Sequence, residues 1–112
     1  MSVGGTKTAG SARLTITRDT ADDVQDRWIR LWLDGKYWDT LRYGMTMSVD
    51  IPAGHHQLKA SNTLNKSTLE FDADAGEHIR VRCHNAIVRG GFLSILMIGV
   101  AAIRVRLERI EA

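Results

Sequence analysis

The stretch Trp28-Ile29-Arg30-Leu31-Trp32-Leu33-Asp34-Gly35-Lys36-Tyr37-Trp38-Asp39 decides the fold of this 112-residue chain. An Asp-Gly pair between two runs of aromatic and branched residues signals a β-hairpin. Both central residues of a type I′ turn need positive φ, which Gly adopts freely and Asp tolerates. With Asp34 and Gly35 at the centre, Leu33 falls opposite Lys36, Leu31 opposite Trp38 and Arg30 opposite Asp39. One face then carries Ile29, Leu31, Leu33 and Trp38; the other carries Trp28, Trp32, Tyr37 and Leu41, with Arg30 and Asp39 placed to pair between them. A sandwich strand needs only one buried face, so the second apolar face calls for cover from the chain itself, another subunit or a ligand.

Period-two alternation continues on both sides of this hairpin. Leu14 and Ile16 between Thr15 and Thr17 mark a strand over 12–18, and the polar stretch 19–26 breaks the pattern. Met45 to Ile51 alternates and leads through Pro52-Ala53-Gly54 into His56-Gln57-Leu58-Lys59-Ala60. A loop over 52–55 pairs these two runs as a hairpin, with Val49 facing Leu58, Met47 facing Ala60, Ile51 facing His56, and His55 in the loop. A loop over 74–76, with Gly76 left-handed, sets Phe71 opposite Ile79, Leu69 opposite Val81, Glu70 against Arg80 and Asp72 against His78. After Gly90-Gly91 comes an apolar run, Phe92 to Ile103, in which Leu93 to Ala102 reads either as a strand buried on both sides or as a short helix. Ile103, Val105 and Leu107 then alternate with Arg104, Arg106 and Glu108 in a last strand. The expected fold is all-β: a single antiparallel β-sandwich, immunoglobulin-like, of about seven or eight strands over 12–112, with a flexible N-terminal arm at 1–11.

Composition narrows the function. The length suits one domain. Cys83 is the sole cysteine, which excludes an internal disulfide and a cysteine-based metal centre. The first residues lack the apolar core of a secretory signal, so a cytoplasmic location is expected. A net charge of +2 is too small to indicate nucleic-acid binding. The apolar run at 92–103 falls short of the roughly 20 residues a membrane-spanning helix needs.

The string Asp34-Gly35-Lys36, then Ile51-Pro52-Ala53-Gly54-His55-His56-Gln57-Leu58, then Ala75-Gly76-Glu77 resembles small bacterial PEGA-like sandwich domains over 28–82. These are similar to carboxypeptidase-regulatory and immunoglobulin-like modules, and the resemblance implies a non-catalytic domain of the kind often appended to envelope or surface proteins. The chain departs from that pattern in having Leu41-Arg42-Tyr43-Gly44 where Thr-Pro is usual after the second strand, and in its apolar C-terminal run.

No catalytic constellation is legible. Cys83 has inward parity, the serines lack a patterned base, and neither Gly4-Gly5 nor Gly90-Gly91 ends in the Gly-Lys-Ser/Thr of a phosphate loop. The four histidines do not converge: His55 and His56 diverge on an extended chain, and His78 and His84 stand about 20 Å apart along a strand. The plain reading places His56 at a core edge beside Ile51 and pairs His78 with Asp72, with no metal and no cofactor. Arg80, Arg82, Arg104 and Arg106 point outward and would form an anion-binding surface if their strands are neighbours, but Glu70, Asp72 and Glu108 favour an ion-paired face instead.

For Trp28, Trp32 and Tyr37, three readings stay open: burial under another segment, a subunit interface, or a platform for sugar rings. The leading expectation is a non-enzymatic module that self-associates as a homo-oligomer or filament through Trp28, Trp32, Tyr37, Leu41, Phe92 and Leu93, with the N-terminal arm as clasp. A carbohydrate-binding module using the same aromatics, and attachment of the 92–102 segment to a membrane surface, are the alternatives.

Overall fold

Each period-two stretch forms a strand in the computed structural model, which describes residues 10–87 and 103–110. The strands are β1 (Ser11–Thr17), β2 (Ile29–Leu33), β3 (Lys36–Leu41), β4 (Thr46–Pro52), β5 (Gly54–Ser61), β6 (Lys66–Ala73), β7 (His78–Ile87) and β8 (Ile103–Ile110). They make two four-stranded sheets, ordered β4-β1-β7-β8 and β3-β2-β5-β6, packed as a sandwich, and the described residues contain no helix. The inward residues build one core: Leu14, Ile16, Ile79, Val81 and Cys83 from the first sheet meet Ile29, Leu31, Leu41, Leu58 and Phe71 from the second. One pairing departs from the antiparallel expectation, since β1 runs parallel to β7, with Leu14 beside Ile79 and Ile16 beside Val81. The arm at 1–9 and the segment with Phe92 and Leu93, through residue 102, lie outside the described residues.

The Asp-Gly hairpin forms, with φ of 50° at Asp34 and 82° at Gly35 and Leu33 opposite Lys36. Its far end corrects the sequence reading. A register shift between Leu31 and Trp32 places Leu31 opposite Asp39 rather than Trp38, Arg30 opposite Thr40 rather than Asp39, and Ile29 opposite Leu41. One extra residue in β3 reverses the parity beyond it. Leu41, expected on the outer aromatic face, is therefore fully buried in the core.

Two further hairpins of the sequence reading are sheet crossings. β4 pairs with β1, setting Val49 by Leu14 and Met47 by Ile16, whereas β5 pairs with β2 and β6, setting Leu58 between Leu33 and Leu69. Pro52 to Gly54 thus carries the chain from one sheet to the other, and His55, expected in the loop, is on β5. Phe71 pairs with His56 rather than Ile79, because the 74–77 turn also crosses between sheets. Gly76 is left-handed there, at φ 81°. Parity reports which face a side chain takes, and the inward residues of two runs face the same core whether the runs are paired or opposed.

The bulge yields a direct test. Leu41→Ala should lower the unfolding free energy by about 2–5 kcal/mol, as for a core leucine, while Trp28→Ala costs under about 1 kcal/mol. Urea titration distinguishes this from the unbulged register, in which Leu41 would be the exposed residue.

Candidate functional site

Outer positions of β2, β3 and β5 gather the aromatic residues. Trp32 is opposite Tyr37 on one side and Lys59 on the other. The Trp32 and Tyr37 rings meet edge-on, with centroids 5.8 Å apart and planes at 73°. Lys59 Nζ stands 4.8 Å from the centre of the Trp32 ring, and the Arg42 guanidinium carbon 4.2 Å from that of Trp28. Both are cation–π distances. Tyr37 and Thr40 share a hydroxyl hydrogen bond of 2.7 Å. Trp28 and Tyr37 remain 55% exposed. Of the residues expected at this surface from sequence, Trp32 and Tyr37 meet on it, Trp28 is exposed just before β2, Leu41 is buried in the core, and Phe92 and Leu93 lie outside the described residues.

Next to Trp28 a concavity of about 490 Å³ is lined by Val24, Asp26, Arg27, Trp28, Arg30, Asn62 and Thr63. Its wall is held from below by a buried polar network. Arg18, fully buried at the end of β1, donates from Nε and Nη2 to Asp23 at 2.6 and 3.0 Å. The same guanidinium donates to the carbonyls of Leu41, Val24 and Arg27 at 2.8–3.0 Å. Asn85 donates its backbone N–H to Asp23 and its side-chain amide to Val24 and Arg27, and accepts from Asn62 at 3.1 Å. The polar stretch after β1 is thereby ordered, and the carbonyls flanking the concavity are fixed. Thr63 adopts φ 88°, a strained conformation for a β-branched residue, on the turn that closes the site.

The sequence reading missed this network. Its signal was present: Arg18 continues the inward parity of Leu14 and Ile16, Asn85 that of Val81 and Cys83, and a polar residue at such a position requires a buried partner.

Carboxylates hold two of the histidines, His55 and His56. Both ring nitrogens of His56 lie 2.6 Å from acceptors, the Asp34 carboxylate and the Pro52 carbonyl, so the ring must carry both protons to satisfy them. Burial pulls the His56 pKa down, but the bond to Asp34 and the bond to the Pro52 carbonyl outweigh it, and the net shift is upward. Burial raises Asp34, but His56 and the Gln57 N–H draw it below its ordinary value. His55 bridges Glu70 and Asp72 at 2.8 Å each, and those two carboxylates raise it. His78, expected beside Asp72, instead bonds Thr15 at 2.7 Å, because β6 and β7 occupy different sheets. Burial pushes the Cys83 thiol up to about 12, so it stays protonated and is a poor nucleophile. Among the described residues no group of three or more His, Cys, Asp or Glu is arranged to hold a metal ion.

Compared with family models, with curated proteins and with solved structures, the chain finds no significant match.

Two outcomes are expected. Arg18→Met leaves the buried Asp23 carboxylate without its counter-charge and removes one donor from each of three carbonyls, and should cost about 3–5 kcal/mol in urea unfolding. The second concerns pH. His56, raised in the fold, contributes stability complete below its ordinary value of 6.5 and lost as pH rises through its folded value. Asp34, lowered, contributes stability present above 3.8 and lost as pH falls through its folded value. The urea midpoint should therefore be higher at about pH 5 than at about pH 8, and His56→Gln should flatten that fall. His55→Gln should change it less, because its exposed ion pairs are screened.

Proposed function

We propose that this chain is a non-enzymatic, PEGA-like interaction module that self-associates through the outer aromatic face of the β3-β2-β5-β6 sheet. The observation that carries the reading is the exposure of two large aromatics, Tyr37 against half-buried Trp32 and Trp28 just before the same strand, each 55% exposed. Trp, Tyr and Arg dominate the energetics of protein interfaces, and Trp28, Arg30, Trp32, Tyr37 and Arg42 place all three types together. Cation–π and edge-on contacts already order the rings, which reduces the entropy lost on association. The free side of β3 is bulged and carries Lys36 and Asp39, features that discourage strand addition, so the sheet face rather than this edge is the contact surface.

A second reading has its own support. The concavity beside Trp28 joins an exposed indole to Asp26, Arg30, Asn62 and Thr63, the mixture of apolar platform and polar rim that suits a carbohydrate ring. Light scattering after size exclusion separates the two. Self-association gives a species heavier than the 12.5 kDa chain, and Trp32→Ser returns it to monomer while the circular dichroism spectrum is retained. A monomer at all concentrations overturns that reading, and quenching of its tryptophan fluorescence by a sugar would transfer the role to the concavity.

A further inference from the structure

The arginines on the opposite sheet form a second surface. β7 and β8 are neighbours, and their register sets Arg80 level with Ile110, Arg82 with Glu108, His84 with Arg106 and Ala86 with Arg104. One exposed arginine therefore stands at each of four successive outward levels, a stripe spanning about 20 Å at roughly 7 Å per level. Of the counter-charges that the sequence suggested, Glu108 is on this sheet and the other two are elsewhere. Glu70 and Asp72 lie on β6 in the other sheet and are engaged by His55. On this sheet Asp50 is taken by Arg13 and Glu77 by Arg109. Arg82 has Asp19 at 3.3 Å and faces Glu108. Among the described residues no carboxylate pairs with Arg80, Arg104 or Arg106.

We propose that this stripe is a docking surface for a bilayer bearing anionic phospholipid. Between β1 and β7 a groove of about 310 Å³, lined in part by Thr15, Thr17, Asp19, Arg80 and Arg82, presents the Arg80 guanidinium, a donor of the kind that holds a phosphate headgroup, beside the Arg82–Asp19 pair. Two observations favour a lipid surface over a nucleic acid. The outward side chains of the stripe include no Phe, Tyr or Trp ring on which a base could stack. In the sequence, Arg104 follows directly on the apolar run Phe92 to Ile103, and basic residues beside an apolar stretch are the composition of peripheral membrane attachment. The surface is on the sheet opposite Trp28, Trp32 and Tyr37, so it stands or falls independently of self-association.

The test is flotation of the full chain with phosphatidylcholine vesicles, with and without phosphatidylserine. Binding is expected only with phosphatidylserine, is lost at high salt, and weakens by about fivefold for each of Arg80→Gln, Arg104→Gln and Arg106→Gln. Lys66→Gln, on the other sheet, should leave it unchanged, and thermal melts verify that each variant is folded. No flotation, equal flotation on pure phosphatidylcholine, or flotation untouched by the triple arginine variant overturns the proposal. So does arginine-dependent binding of inorganic phosphate or of a single-stranded oligonucleotide without vesicle binding, each of which would assign the stripe to a soluble ligand.

Discussion

The Arg18 guanidinium is the contact on which one end of the molecule depends. A fully buried cation is tolerated only when its charge is paired and its donors are satisfied, and here five bonds to Asp23, Leu41, Val24 and Arg27 do both. Those bonds tie the end of β1, the segment after it and the end of β3 to a single group. Asn85 and Asn62 extend the network to β7 and to the turn before β6, so both sheets share it. A further bond from the Val105 N–H to Asn65 joins β8 to the same turn. The concavity beside Trp28 is therefore bounded by backbone that is held through the core.

The two outer faces differ in chemistry because the chain changes sheet at 52–54 and again at 74–77. Had the 74–77 connection been a hairpin, Glu70 would have stood against Arg80 and the acids and arginines would have neutralised each other. Instead Glu70 and Asp72 serve His55 on the aromatic sheet, while the arginines of β7 and β8 stand together on the other. Asp34 links the turn chemistry to this arrangement. It sits in the β2–β3 turn with positive φ, accepts from the Gln57 N–H at 2.8 Å and holds the His56 imidazolium, joining the hairpin tip to the start of β5. The residue required by the turn is also the partner of a buried cation.

Much of this was legible in the sequence. Leu14, Ile16, Leu58, Phe71, Ile79, Val81 and Cys83 are buried as their parity required, and Asp34-Gly35 and Gly76 adopt the conformations their turns demand. Trp32 and Tyr37 are cross-strand neighbours, and Trp28 and Tyr37 are exposed. Leu41 was misplaced, because nothing local announces an extra residue in β3 and one residue suffices to turn a side chain over. The Arg18–Asp23 pair was missed because Asp23 belongs to a stretch without periodicity, where pattern has nothing to report.

The sequence by itself determined the all-β class, the strands and the face that side chains present within an unbulged strand, since these follow from the two-residue pleat and from turn residues acting over a few positions. Only the tertiary structure decided which strands are partners, which charges meet and where Leu41 lies. Pairing is settled by distant segments competing for the same core, and an inward residue satisfies that core equally well from either sheet.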